Sequence, residues 1–252
     1  LMPPALVAGL IEAAAMHWTF APDIEITLEA NPNSVEVDRF ADLAGAGVDR
    51  VSLGVQSFEA EALRFLGRAH DVSEAQRAIA TAQAHFARTS FDLIYALPGQ
   101  SVAQWEAQLT HALSFGSGHL SLYQLTIEPG TRFETMVRRG DFTPADPDHA
   151  ADLYELTQTL TAAADIPAYE ISNHARAGEE SRHNLTYWRY GDYVGIGPGA
   201  HGRRNAQATQ RHKKPENWLA AVERNGHGCQ SETPLAPDER AREALMMGLR
   251  LA

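Results

Sequence analysis

The chain has 252 residues, 44% of them hydrophobic, and sets 21 Lys and Arg against 32 Asp and Glu for a net charge of −11. That acidic balance argues against general nucleic-acid binding and a polybasic membrane patch, and no apolar run approaches the roughly 20 residues of a membrane span. The single cysteine, Cys229, excludes an internal disulfide and any zinc or iron–sulfur site made from cysteines of this chain, and it points to a reducing, cytoplasmic setting.

The first amphipathic helix is marked by Leu6, Leu10, Ile11 and Ala14. A strand over residues 24–29 follows, then a helix over about 35–44 closed by Gly45 and Gly47. A second strand covers 51–55 and a short helix 59–65. Ser73 and Gln76 have capping-box spacing and open a helix carried by Ala75, Ala78, Ile79, Ala82 and Phe86. A third strand, 91–96, leads to a second capping box at Ser101 and Gln104, with Trp105, Leu109, Ala112 and Leu113 on one helix face. The fourth strand runs over 119–125. Beyond Gly130 the rhythm changes to helices near 133–138 and 148–164 and a strand over 168–171. A loop rich in Gly, His and aromatics follows over 172–204, and two helices near 215–224 and 238–251 close the chain. Leu1 is no initiator, no secretory signal opens the chain, and the last helix pattern stops without a cap, so an internal piece of a longer protein is expected.

Three of the strands run apolar, reach a polar residue and break into a turn: Glu29 before Ala30-Asn31-Pro32, Gln56 before Ser57, and Asp92 before Leu97-Pro98-Gly99. This is the rhythm of a parallel βα barrel, whose reactive groups gather at the C-terminal ends of the strands. Glu29, Gln56, Asp92 and the loop residue Arg68 are therefore expected at one mouth. There the carboxylates suit ribose hydroxyls or an ammonium, and the guanidinium suits a carboxylate or phosphate. Helix capping and surface pairing are the alternative for each taken alone. Arg182-His183-Asn184-Leu185-Thr186-Tyr187-Trp188 gathers an imidazole and two aromatics; the spacing alone favours a loop docked by its aromatics with His183 hydrogen-bonded, over iron ligation with ring stacking. The glycines from Gly195 to Gly202 bring backbone close to a neighbour, but no strand–turn–helix context supports a dinucleotide site. No His-Glu-x-x-His, Gly-x-Ser-x-Gly or Walker pattern occurs among residues that include 11 histidines, so a hydrolase or NTPase lacks support.

Leu28-Glu29-Ala30-Asn31-Pro32, Gly54-Val55-Gln56-Ser57-Phe58, Asp92-Leu93-Ile94-Tyr95-Ala96-Leu97-Pro98-Gly99 and the block from His183-Asn184 and Tyr187-Trp188 to Gly199-Ala200-His201 resemble the radical SAM family of oxygen-independent coproporphyrinogen III oxidase. Within it, the heme chaperone HemW branch is the most similar. The resemblance implies an α/β fold: a partial (β/α)6 radical SAM barrel, truncated at its N-terminus, with a mixed α/β C-terminal extension. The later part of the barrel would occupy 1–130. The extension would occupy 131–252 and lead to a C-terminal domain beyond this chain. The family's cysteine-rich loop, which holds a [4Fe-4S] cluster, and its glycine-rich S-adenosylmethionine turn would precede Leu1, so no metal ligand and no catalytic residue is expected here.

By position, Glu29, Gln56, Arg68 and Asp92 resemble the family's S-adenosylmethionine contacts, with Thr126 and His201 where further contacts lie. His183, Tyr187 and Trp188 fall in the motif that the chaperone branch is proposed to use for heme. The implied function is a cytoplasmic heme chaperone that binds heme, S-adenosylmethionine and, in a longer parent, a [4Fe-4S] cluster, and that hands heme to acceptor hemoproteins. The implied alternative is the oxidase itself, in porphyrin biosynthesis, and this fragment alone would be inactive.

Overall fold

The computed structural model describes residues 2–33 and 37–252, so the start of the helix expected over 35–44 lies outside the described residues. The chain divides into two compact units, one up to Glu180 and one from Ser181 onward.

The first unit opens with α1 (Pro4–His17), whose proline at the first helical position suits a place where no N–H partner is needed. Parallel strands β1 (Thr27–Ala30), β2 (Arg50–Gln56), β3 (Arg88–Tyr95) and β4 (His119–Gln124) then alternate with helices. These are α2 (Phe40–Gly45), α3 (Ala60–Phe65), α4 (Val72–His85) and α5 (Val102–Leu113). After α6 (Arg132–Arg139) and α7 (Pro147–Ala163), the short strands β5 (Ala168–Glu170) and β6 (Asn173–Ala175) complete a six-stranded sheet. Its order is β1-β2-β3-β4-β6-β5, with β6 antiparallel to β4. The expected division at residue 130 therefore falls inside this unit, because β5 and β6 hydrogen-bond onto the open edge of β4.

Four differences from the sequence reading have local causes. Residues 24–26 do not join the ladder: the N–H of Ile26 donates to Asp49 Oδ1 and its carbonyl accepts from the N–H groups of Asp49 and Arg50. Helix α4 is capped by Asp71, not Ser73. The Asp71 side chain accepts from the Glu74 N–H at 2.8 Å and the Glu74 carboxylate accepts from the Asp71 N–H at 3.0 Å, leaving Ser73 inside the first turn. The box at Ser101 and Gln104 is as expected. The strand expected over 168–171 ends at Glu170, and residues 172–204 hold β6, helix α8 (Arg182–Trp188) and strand β7 (His201–Arg204) in place of a continuous loop.

Parallel sheets usually bury both faces and read as continuous apolar runs. In this sheet one face is apolar, and the other is polar although partly buried. Val51, Leu53 and Val55, Phe91, Leu93 and Tyr95, and Leu120 and Leu122 are buried in the core with Leu43, Ile79, Leu109 and Leu153 of the helices. Tyr95 stacks on Trp105 with ring centroids 4.7 Å apart, and the Trp105 indole N–H donates to Thr157 at 2.8 Å, joining α5 to α7. Truncation of a tryptophan so placed costs about 3–5 kcal/mol. The alternate positions are polar: Arg50, Ser52 and Gly54; Arg88, Ser90 and Asp92; His119 and Ser121. Register sets Glu29 beside Ser52, Ser52 beside Ser90 and Ser90 beside His119, with Asp92 and Ser121 paired one step along.

The second unit contains α8 and the antiparallel sheet of β7, β8 (Gln207–Arg211) and β9 (Cys229–Pro234), in that order. Helices α9 (Pro215–Asn225) and α10 (Pro237–Gly248) accompany it. The glycines noted in sequence serve the chain itself. A Cβ on Gly195 would fall 1.9 Å from the His201 carbonyl oxygen, and one on Gly202 would lie 2.7 Å from Thr209 Oγ1. Only glycine lets these segments meet, with Tyr193 bridged to Arg203.

Candidate functional site

The polar face of the first unit's sheet ends in a cavity of about 350 Å³ lined by Glu29, Ala30, Asn31, Ser52, Gly54, Gln56, Arg68 and Asp92. Glu29, Gln56, Arg68 and Asp92, drawn from four separated stretches of chain, thus meet in one place. β1 delivers Glu29 at its C-terminal end. Gln56 ends β2 just past a register shift between Leu53 and Gln56, with φ 70. A left-handed φ on a residue with a Cβ costs about 1–3 kcal/mol and is characteristic of functional sites. Ala96, just beyond β3, has φ 57 and reverses the chain after Asp92 in the same way.

Arg68 is placed by the end of α3. Gly67 takes φ 71, its N–H donates to the Arg64 carbonyl, and the Arg68 N–H donates to the Leu63 carbonyl at 2.9 Å. This paired closure of a helix end directs the chain, and with it Arg68, back toward β2. Arg68 Nη2 donates to the Gly54 carbonyl at 3.1 Å, while its buried Nε has no partner. A Cβ at position 54 would sit 2.8 Å from Arg68 Nη2 and 3.2 Å from Gln56 Nε2, so Gly54 keeps open the space that both side chains enter. An orphaned buried guanidinium donor beside a glycine-made cradle is a site shaped for an acceptor such as a carboxylate.

Asp92 accepts from Ser52 Oγ at 3.3 Å. Burial pushes its carboxyl up to about 6, the Ser121 and Ser52 hydroxyls oppose that rise, and the Glu29 carboxylate adds to it. The same face continues into a buried polar layer. His119 contacts Ser90 Oγ through Nδ1 at 2.7 Å and the Tyr169 hydroxyl through Nε2 at 2.9 Å, and burial holds the imidazole well below its ordinary value. Arg88 pairs with Glu25 at 2.6 Å and Glu179 at 3.0 Å.

Thr126 lies exposed in the stretch between β4 and α6 and does not line the cavity. In the second unit His201 opens β7, exposed, opposite Gln210. His183 is exposed near the start of α8, its ring edge-on to Tyr187 at 4.6 Å, and Tyr187 is edge-on to Tyr193 at 4.6 Å. Trp188, half-buried, carries the Arg250 guanidinium 4.4 Å from its ring centre, and its indole N–H is a buried donor without a partner. Among the described residues no group of three or more His, Cys, Asp and Glu is arranged to hold a metal ion. A second cavity of about 420 Å³, between the start of α3 and the β3–α5 turn, is lined by residues including Glu59, Phe65, Pro98 and Gln108 and holds none of the expected cofactor-binding residues.

Sequence reading missed Ser52, Gly54 and Asn31 as lining residues. The signal for Ser52 and Gly54 was present: both alternate with the buried Val51, Leu53 and Val55 on β2 and so share a face with Gln56.

Residues 1–110 match the Radical SAM superfamily. The mouse protein named Radical S-adenosyl methionine domain-containing protein 1, mitochondrial, is 43% identical over 259 residues, covering 99% of this chain and 59% of that protein. Heme chaperone HemW of Escherichia coli (strain K12) is 44% identical over 208 residues, covering 79% of this chain and 53% of the relative. The chain thus spans somewhat more than half the length of these relatives. Among solved structures, coproporphyrinogen III oxidase (HemN) from Escherichia coli, titled a radical SAM enzyme, aligns with a TM-score of 0.81 over 99% of this chain and 60% of that one. At 22% sequence identity that likeness shows the fold. Strand topology and sequence agree, and this chain belongs to the radical SAM superfamily, in its coproporphyrinogen III oxidase-like family near the HemW heme chaperones.

Proposed function

We propose that the chain forms the S-adenosylmethionine-binding and heme-binding part of a heme chaperone that delivers heme to acceptor hemoproteins in the cytoplasm. The observation that carries this reading is the cavity in which Arg68, with a buried unpartnered Nε, faces the same space as Glu29, Gln56 and Asp92. S-adenosylmethionine brings a carboxylate, an ammonium and two ribose hydroxyls. Arg68 suits the carboxylate, Glu29 the ammonium, and Asp92 a ribose hydroxyl, each by charge and donor count. Gln56 supplies both an amide donor and an acceptor. Bound there beside a reduced cluster, S-adenosylmethionine would supply radical chemistry. This chain's own part is to bind and orient it and to shield it at the strand ends. Its single thiol does not provide the three thiolates of the family's cluster, so those ligands belong to a longer parent.

For heme, the segment from His183 to Trp188 offers an exposed imidazole one turn from Tyr187, and an indole donor still lacking a partner. Heme chaperone relatives at 40–44% identity support this reading over that of an oxidase. Among the described residues no helix is long and apolar enough to cross a membrane.

Two titrations test the proposal on the chain itself. Calorimetry with S-adenosylmethionine should show binding that Arg68→Met weakens about tenfold or more, the scale of a lost charged hydrogen bond. Heme titration should give a Soret band that moves in His183→Ala. Unchanged affinity in the first would remove the S-adenosylmethionine assignment. Unchanged heme spectra and affinity in His183→Ala and in the Tyr187→Ala/Trp188→Ala pair would remove the heme assignment.

A further inference from the structure

The second cavity of the first unit, about 420 Å³ between α3 and α5, shares no lining residue with the first and has no part in the function proposed above. Three glutamines line it, and the chain holds all three by the same half of the amide. The backbone N–H of Leu97 donates to Gln100 Oε1 at 3.3 Å, and that of Ser101 donates to Gln104 Oε1 at 2.8 Å. A backbone N–H can only donate, so the bound halves are the oxygens and the two NH2 groups are left over. Gln108 is held by Ser57, whose Oγ accepts from the Glu59 N–H at 3.1 Å and donates to Gln108 Oε1 at 3.1 Å. Ser57 is fully buried, so its proton needs an acceptor within the chain, and Gln108 Oε1 provides it.

Gln108 is itself only 4% exposed. Its Nε2 bonds to no acceptor among the described residues, yet it keeps some surface of its own, and the space it opens onto is the cavity that Gln108 lines. A buried amide bonded through one half only offers its donors to whatever enters. The walls are held from behind. Phe65 stacks on Phe133 of α6 and lies edge-on to Phe142, both at 5.1 Å, and His149 of α7 donates through Nε2 to the Gln100 carbonyl at 2.7 Å. Phe65, Leu97 and Pro98 add apolar surface, and the α3 side adds the carboxylates of Glu59 and Glu61. Glu61 shares an exposed pair with Arg64 at 3.3 Å, whereas Glu59 has no ion pair among the described residues.

Amide donors on one side and carboxylates on the other restrict the ligand. A small carboxylate suits the glutamines and is repelled by Glu59 and Glu61. A lone ammonium or guanidinium suits the carboxylates and leaves the amides unpaired. A peptide brings both, with carbonyl oxygens along its backbone and positive charge on its side chains. We propose that this cavity binds an extended, basic peptide segment of a partner protein. Its carbonyls accept from Gln100, Gln104 and Gln108, and its lysine or arginine side chains face Glu59 and Glu61. Alternate side chains of an extended peptide point to opposite sides, so an apolar residue between two basic ones rests on Phe65 and Pro98. The net charge of −11 acts in the same sense, by drawing cationic partners to the chain.

The probe is a capped tripeptide with leucine between two lysines, titrated into the whole chain. Nitrogen-15 NMR of the glutamine side-chain NH2 groups, assigned from the backbone, reads the contact directly. The Gln100, Gln104 and Gln108 signals should move together, with a dissociation constant of about 1 mM or tighter. Gln108→Met should weaken binding about fivefold or more, and Gln104→Met serves in its place if that variant does not fold. Glu59→Gln should weaken it about threefold and flatten its salt dependence. The same peptide with glutamates for lysines should bind about tenfold more weakly. If the three glutamine signals stay fixed at millimolar peptide, if Gln108→Met or Gln104→Met binds unchanged, or if the glutamate peptide or free lysine binds as tightly, the assignment is overturned.

Discussion

Asp92 concentrates the competing demands on this fold. Its folded value of about 6 stands above the ordinary 3.8, so the folded chain holds the proton more tightly than the unfolded one. Above pH 6 the group is charged in both states, and desolvating that charge costs stability. The cost fades as pH falls through 6 and is gone below about 4. Asp92→Asn removes the charge and should therefore stabilise the protein at pH 8, by about 1 kcal/mol once partial exposure is allowed for, or roughly 2–4 °C in melting temperature. The gain should shrink to nothing by about pH 4, and melting curves at the two pH values check it. The same substitution should weaken S-adenosylmethionine binding by about 1–3 kcal/mol, because an amide offers one acceptor oxygen and adds donors where acceptors are needed. Calorimetry measures that loss. A variant more stable yet poorer at binding marks a residue kept for its ligand and not for its packing. Asp92 itself was legible as a polar residue within an apolar strand, although it sits inside β3 and not at its end. Its raised value was not, because it depends on burial within the sheet and on the nearby Glu29 carboxylate, which is distant in sequence and brought close only by strand order and register.

At the level of elements, local hydrogen bonding decided most boundaries. Ser73 and Gln76 match the spacing of a capping box as well as Asp71 and Glu74 do, and the choice falls to the residue with extended backbone: Asp71 has φ −99 and ψ 175. Asp71→Ala should cost about 1 kcal/mol of stability, while Ser73→Ala, inside the turn, should stay within about 0.5 kcal/mol. Chemical denaturation of both variants checks the assignment. The β7–β8 hairpin turns on Asn205 and Ala206, with φ 52 and 58. Asparagine tolerates this region and alanine does not, so Ala206→Gly should stabilise the second unit by about 0.5–1 kcal/mol, measurable by the same denaturation. The three-stranded sheet escaped the sequence reading because β7 and β8 carry few β-branched residues and many glutamines and arginines. Their pairing comes from the tight turn and from glycines that let Gly195 and Gly202 approach their neighbours.

The first unit's sheet has one apolar face closed by helices and one polar face that ends in the cavity of Glu29, Gln56, Arg68 and Asp92. The chain cannot assemble the family's cluster unaided. Anaerobic reconstitution of the 252 residues with iron and sulfide should give no stoichiometric four-iron species, since one thiol is available, and iron analysis with the charge-transfer absorbance checks this.

Sequence by itself determined the alternation of strand and helix up to β4, the polar residues Glu29, Gln56 and Asp92 that β1, β2 and β3 carry, and the second capping box. Each follows from periodicity or from hydrogen bonds within a few residues. The shared mouth of Glu29, Gln56, Arg68 and Asp92 was expected from the βα rhythm; tertiary structure alone decided that Gly54 makes room for Arg68 and that Ser52 reaches Asp92. Those contacts close between residues well separated in sequence. They depend on strand order and register, neither of which leaves a periodic trace in the chain.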